Sequence, residues 1–224
     1  MNKSLKNLLG ELIQLELAGK SLIHGTAIDL GSDIIVVFNG KGYVYIPLIH
    51  IKNIKMISKN ELDFEMEKPK ELPEISLDQN FSLRKALTAA KGMFLEIGVT
   101  NKDTLHGYIT SIMNNYFVFH SPVYKTMYIT LNHLKWLSPY TDNKKPYGLH
   151  SQAPQTQISN LSLARSFEVQ VEKLTGELVV FNVGETNALM GKINHVEENI
   201  IEFQTAREEP YFLNMYHIKT VHKV

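Results

Sequence analysis

Residues 10–54 read GELIQLELAGKSLIHGTAIDLGSDIIVVFNGKGYVYIPLIHIKNI, and the same pattern returns twice further along the chain. Residues 91–137 read KGMFLEIGVTNKDTLHGYITSIMNNYFVFHSPVYKTMYITLNHLKWL, and residues 175–221 read TGELVVFNVGETNALMGKINHVEENIIEFQTAREEPYFLNMYHIKTV. Gly10 and Gly25, Gly92 and Gly107, and Gly176 and Gly191 are each 15 residues apart. Asp33, Asn115 and Asn199 follow the second glycine by eight residues, and His50, His133 and His217 follow it by 25, 26 and 26. Each histidine precedes an apolar residue, a lysine, any residue and a second apolar one: Ile51-Lys52-Asn53-Ile54, Leu134-Lys135-Trp136-Leu137 and Ile218-Lys219-Thr220-Val221. Three matches in register make an internal triplication the simplest account, and a repeat decides the fold before any single element does.

Each copy has a physical reading. Leu5, Leu8 and Leu9, then Leu83 and Leu87, then Phe167, Val171 and Leu174 fall on one face of a short helix. Ser4, Ser82 and Ser162 are its N-cap candidates. Gly10, Gly92 and Gly176 stand where the helix ends and a left-handed residue is needed. Strands of about six residues follow at Leu12–Leu17, Met93–Ile97 and Leu178–Val183. The second strand carries Gly25, Gly107 or Gly191, and a glycine inside a strand marks a bend or a close backbone approach. Asp33, Asn115 and Asn199 make the next turn, and Asn39-Gly40 predicts a hairpin in the first copy. Two short strands, broken near the histidine, close the unit. The fold class expected is mainly β: three tandem small open barrels, each with a short N-terminal helix and about five bent strands. The boundaries expected are residues 1–58, 82–138 and 161–224 for the repeats. Residues 59–81 are expected as an acidic exposed linker and residues 139–160 as a polar one.

Helix plus five bent strands resembles the Sm-like fold. The ending Tyr45-Ile46-Pro47-Leu48-Ile49-His50-Ile51-Lys52-Asn53-Ile54, echoed at Tyr128–Leu137, resembles the signature of the spore coat protein B-like family of bacilli and clostridia. That resemblance implies a non-enzymatic structural protein, made in the cytoplasm and deposited on the spore coat. Its partners would be other coat proteins or further copies of itself, in a homo-oligomer or a pseudo-three-fold monomer. Open barrels leave unpaired strand edges, so edge-to-edge joining is the expected mechanism. The chain lacks the Ser/Lys/Arg-rich tail that members of that family often carry. The alternative is an Sm-like RNA-binding protein with Lys20, Lys52, Lys102, Lys135 and Lys219 around a pore. Ring-forming Sm and Hfq proteins contact RNA through an Asp–hydrophobic–Asn element and an Arg-Gly or Lys-His element. At those places this chain has Asp33-Ile34-Ile35, Asn115-Tyr116-Phe117 and Asn199-Ile200-Ile201, and then Ile49-His50, Asn132-His133 and Tyr216-His217.

Composition narrows the chemistry further. Lys plus Arg and Asp plus Glu are 23 each, so there is no net field to gather phosphates or an anionic membrane. The absence of cysteine excludes disulfides, thiolate nucleophiles and thiolate metal sites. No apolar run reaches the roughly 18 residues of a membrane span, and the first residues lack the form of a secretory signal. No phosphate loop, zinc-protease or nucleophile-elbow motif occurs, so no catalytic or cofactor-binding residue is expected. His50, His133 and His217 form a set that three-fold symmetry would bring together, which three-histidine metal chemistry requires. The structural alternative, which is the expected one, has each ring bonding backbone at the strand break, with no metal. Gly25, Gly107, Gly191, His50, His133, His217, Lys52, Lys135 and Lys219 are thus expected as structural signature residues. His24 and His106 become Met190 in the third copy, which fits packing. Trp136 and Tyr128 are expected in cores or between units. The carboxylates of the first connector (Glu61, Asp63, Glu65, Glu67, Glu71, Glu74) read as a solvated run beside lysines.

Overall fold

The computed structural model describes residues 3–61, 73, 75, 81–100, 103–140, 146–148, 162–207 and 209–224. The first group comprises α1 (Lys3–Lys6), β1 (Leu12–Leu17), β2 (Leu22–Leu30), β3 (Ile34–Phe38), β4 (Tyr43–Pro47) and β5 (Ile51–Met56). The second comprises α2 (Leu83–Ala89), β6 (Phe94–Gly98), β7 (Leu105–Ile112), β8 (Tyr116–Ser121), β9 (Lys125–Thr130) and β10 (Trp136–Pro139). The third comprises α3 (Phe167–Glu172), β11 (Leu178–Phe181), β12 (Leu189–Glu197), β13 (Ile200–Gln204), β14 (Tyr211–Asn214) and β15 (Thr220–Lys223). A single 3₁₀ turn separates the last two strands of each group, at Leu48–His50, Leu131–His133 and Met215–His217. The mainly β expectation holds.

All fifteen strands among the described residues join one open antiparallel sheet, in the order β14-β13-β12-β11-β15-β9-β8-β7-β6-β10-β4-β3-β2-β1-β5. Within each group the fifth strand pairs with the first, and the first to fourth follow as a meander. Between groups the fourth strand of one pairs with the fifth strand of the next: β4 with β10, and β9 with β15. Closure of the three groups into a pseudo-three-fold ring within one chain does not occur, because β5 and β14 end the sheet unpaired with each other.

The repeated glycines explain the bent second strand. An added Cβ would lie 2.5 Å from the Phe38 carbonyl oxygen at Gly25, 2.2 Å from that of His120 at Gly107 and 2.3 Å from that of Gln204 at Gly191. Three residues further on, the pairing of the second and third strands slips by one, between Ala27 and Asp29, Ile109 and Ser111, and Ile193 and His195. The same bulge in all three copies increases the local twist. Gly10, Gly92 and Gly176 have φ of 83°, 82° and 86° and donate their N–H to the carbonyls of Ala27, Ile109 and Ile193. Asn39 makes the expected turn: its Oδ1 accepts from the N–H of Lys41 and of Gly42, with Gly40 at φ 86°.

Some local expectations need correction. Ser82 caps α2, accepting from the Lys85 N–H, but α3 is capped by Ser166 rather than Ser162; Ser162 instead receives the Lys173 ammonium. Ser4 lies inside α1. The third group's first strand stops at Phe181 because Asn182 turns to φ 55°. The first connector is not simply exposed. Ile75 and Phe81 are fully buried, and the Tyr45 hydroxyl bonds both the carbonyl and the N–H of Ile75. Asp63, Glu65, Glu67, Glu71 and Glu74 lie outside the described residues. From the second connector, Tyr140 bonds the His106 ring at 2.9 Å and Tyr147 stacks edge-on against it.

Each group shares a core with its successor. Ile34, Val36, Tyr43 and Tyr45 pack in one cluster with Phe81, Leu87, Leu95 and Phe117, while Ile35, Val37, Val44 and Ile46 face the first group's own interior. Likewise Tyr116, Val118 and Tyr128 pack with Phe167, Val171 and Phe203. Strands β3 and β4 are consequently buried on both faces, whereas β13 is buried on one and β14 is only half-buried on one.

Gly107→Ala is expected to lower stability by about 2 kcal/mol or more, because the backbone oxygen it would strike cannot swing away. Gly92→Ala, in open space but at positive φ, should cost about 1 kcal/mol. Urea unfolding midpoints of the two variants check the difference.

Candidate functional site

The two junctions between groups are where the repeat signature converges. At the second junction Tyr128 pairs with Val221, Ile129 with Thr220 and Met127 with His222, and the Thr130 N–H donates to the Lys219 carbonyl at 3.1 Å. At the first, Tyr45 pairs with Leu137 alone. The position equivalent to Thr130 is Pro47, which has no N–H to donate, so that ladder is one bond shorter. The following helix completes both junctions. The Asp33 carboxylate accepts from the Leu83 N–H at 2.8 Å, and the Asn115 side chain accepts from the Phe167 N–H at 2.8 Å. The turn residues read from sequence as Asp33 and Asn115 therefore also cap the start of the next group's helix. The Tyr116 hydroxyl donates to the Ala164 carbonyl at 2.7 Å, and burial, with Tyr128 nearby, pushes it up to about 12.

Histidine and lysine of neighbouring groups meet across each junction. His50 bonds the Asn132 backbone of the second group and lies within electrostatic reach of its Lys135; His133 lies within electrostatic reach of Lys219 of the third, and of His50 and His217. His133 shares a 2.7 Å hydrogen bond with the Thr130 hydroxyl, while the buried Nε2 of His50 has no partner. Burial, then Lys135, lowers His50. Lys135 is itself buried, reaches the Thr100 carbonyl at 3.4 Å, and is lowered by burial and by Lys219. Lys219 is ion-paired with Glu185. Lys52, at the outer end of the sheet, lies 3.7 Å from Glu16 with half of its side chain exposed. His217 is exposed. Of the three signature histidines, His133 thus has both others within electrostatic reach. No group of three His, Asp or Glu among the described residues has metal-holding geometry. The ammonium groups of Lys135 and Lys219 further disfavour a cation there.

The remaining singled-out residues have local partners. His24 bonds Gln14 at 3.0 Å, and His106 bonds Thr104 and Tyr140. Tyr128 stands in the second shared core, edge-on to Tyr116, and Trp136 packs on the first group's core. Lys20 sits in an exposed turn at φ 65°, and Lys102 lies outside the described residues. No described helix is long and apolar enough to cross a membrane.

Comparison with known proteins places this geometry. The uncharacterized protein YwrJ of Bacillus subtilis (strain 168) is 38% identical over 223 residues, covering 98% of this chain and 99% of the relative. The chain belongs to the YwrJ family. The family profile described as the YwrJ third domain matches residues 166–221. That segment runs from the α3 cap into the first half of β15, so it coincides with the third group of strands.

In this YwrJ-family chain the junction makes stability depend on pH. Burial, then Lys219, His50 and His217, lowers His133 from its ordinary 6.5 to about 4. The unfolded chain takes up this proton first as pH falls, so stability is full above about pH 7, falls between 6.5 and about 4, and levels off below. The urea midpoint is expected to drop between pH 7.5 and pH 5, and His133→Asn should shrink that drop. An unchanged pH dependence in the variant would contradict the assignment.

Proposed function

We propose that this chain is a non-enzymatic structural protein that builds assemblies through its sheet edges and through contacts with other proteins. The observation that carries the reading is the pair of strands, β5 and β14, that are unjoined among the described residues at the ends of a sheet whose internal junctions are made by the same two strand types. Phe212 on β14 is 72% exposed, and an exposed apolar edge is costly unless something covers it. In this reading each group of helix and five strands is an Sm-like small open barrel. The β2, β7 and β12 bulges and the strand order within each group support it. The finer assignment, a spore coat component like the spore coat protein B-like family, rests on the Tyr45–Ile54 signature and its echo at Tyr128–Leu137.

The RNA-binding alternative draws less support from the lysines. Lys219 is ion-paired, Lys135 is buried, and Lys52 is shared with Glu16, which leaves little free positive charge at the junctions for phosphate. The reading is tested by following a fluorescent fusion of the full chain in a spore-forming host. A ring of signal around the forming spore, retained in the extracted coat, is expected. Even distribution through the cytoplasm, together with tight RNA binding that collapses as salt rises, would overturn it.

A further inference from the structure

The repeat gives every position on the free edges two internal counterparts. Phe212 on β14 corresponds to Tyr45 on β4 and Tyr128 on β9, and Ile54 on β5 corresponds to Leu137 on β10 and Val221 on β15. Tyr45 is 0% and Tyr128 5% exposed, each paired with its fifth-strand counterpart of the next group, Leu137 or Val221. Both of those are fully buried, whereas Ile54 is only partly so. The same relation holds one strand inward. Val36 and Val118, the neighbours of Tyr45 and Tyr128, are buried, but the neighbour of Phe212 is the partly exposed Glu202. It holds for the signature pair as well. His50 lies within electrostatic reach of Lys135 and His133 of Lys219, while His217 and Lys52 are the exposed members. Every element that a third junction needs is present, half at each end of the sheet.

We infer that β14 of one chain pairs antiparallel with β5 of a second copy, in the register Phe212 opposite Ile54, repeating head-to-tail the junction already made twice within the chain. The inference deepens the assembly reading above by naming its partner. Continuity with the internal junctions selects a second copy, since β5 supplies the matching fifth strand in the matching register. The second junction also fixes further contacts. Leu213 stands opposite Asn53, Tyr211 opposite Lys55, and the Asn214 N–H donates to the Lys52 carbonyl as the Thr130 N–H does to that of Lys219. Asn214 replaces the proline that shortens the first junction, so this ladder can reach the length of the second. Phe212 then takes the place of Tyr45 and Tyr128, and His217 faces Lys52. A head-to-tail contact of this kind closes into a ring of two chains if the rotation allows and otherwise extends into a filament.

The absence of cysteine makes the register directly testable. Full-length Phe212→Cys and Ile54→Cys proteins are prepared separately, mixed and mildly oxidised. Facing residues of an antiparallel pair lie about 5 Å apart, within disulfide reach. A mixed disulfide between the two variants is expected, with little when Lys55→Cys replaces Ile54→Cys. In parallel, Phe212→Lys should reduce the assembled mass, measured by light scattering, to that of a single 25.5 kDa chain. The fold should survive, since Phe212 is exposed in the isolated chain, and circular dichroism checks that it does. Dimers of Phe212→Cys alone in equal yield would overturn the head-to-tail arrangement. A wild-type chain that stays single up to millimolar concentration would overturn the second copy as partner. Neither result touches the assembly reading itself, which the coat localisation tests separately.

Discussion

Fourth strand against fifth strand is the pairing on which the rest of this molecule depends. Without it each group would be a small β unit with two unsatisfied edges and a half-covered outer face. With it, β4 and β9 gain hydrogen bonds on both sides, and the next group's helix settles over β3–β4 or β8–β9. The junction therefore combines a backbone ladder, a shared apolar core and a helix cap from Asp33 or Asn115. The apolar part carries most of the energy: a Tyr, Phe or Ile side chain taken from exposure to full burial contributes about 1.5–3 kcal/mol. The ladder fixes register, and the His–Lys pairs lie beside it, where burial lowers His50, His133 and Lys135.

This arrangement also explains why the repeat signature gathers at the junctions. The histidines and lysines recur because every copy ends in the same 3₁₀ turn and edge strand. The first two histidines are enclosed by the next group, and Lys135 and Lys219 point into the same crowded space. A neutral imidazole beside a buried ammonium suits a packing contact sensitive to acid.

Much of the fold was legible in sequence because it is local. Gly25, Gly107 and Gly191 announce a close backbone approach by lacking a side chain, and all three stand on the bulged strand. Gly10, Gly92 and Gly176 announce a left-handed turn and take it. The two-sided burial of the inner strands was written there too. Ile34-Ile35-Val36-Val37-Phe38 is apolar throughout, as a strand covered on both faces must be, whereas Ile200-Ile201-Glu202-Phe203-Gln204 mixes polar residues onto one face. The non-local features were not legible. Ile75 and Phe81 sit in a connector whose charges suggest solvent, and only the packing around Tyr45 shows that they are buried. Ser166 wins the helix cap over Ser162 because the helix starts at Phe167, whose N–H is held by the Asn115 side chain. The meeting of His50 with Lys135 and of His133 with Lys219 follows from sheet order, which spacing along the chain does not specify.

The central claim is that fourth-to-fifth-strand pairing joins the three groups into one sheet, and amide hydrogen exchange at the junctions tests it most directly. The account predicts that the N–H groups of Thr130 and of β15 (Thr220–Lys223) exchange as slowly as those of the central strand β8. Exchange at those amides as fast as in the exposed Gly19-Lys20 turn, with β8 still protected, would show the groups to be separate units and would contradict it.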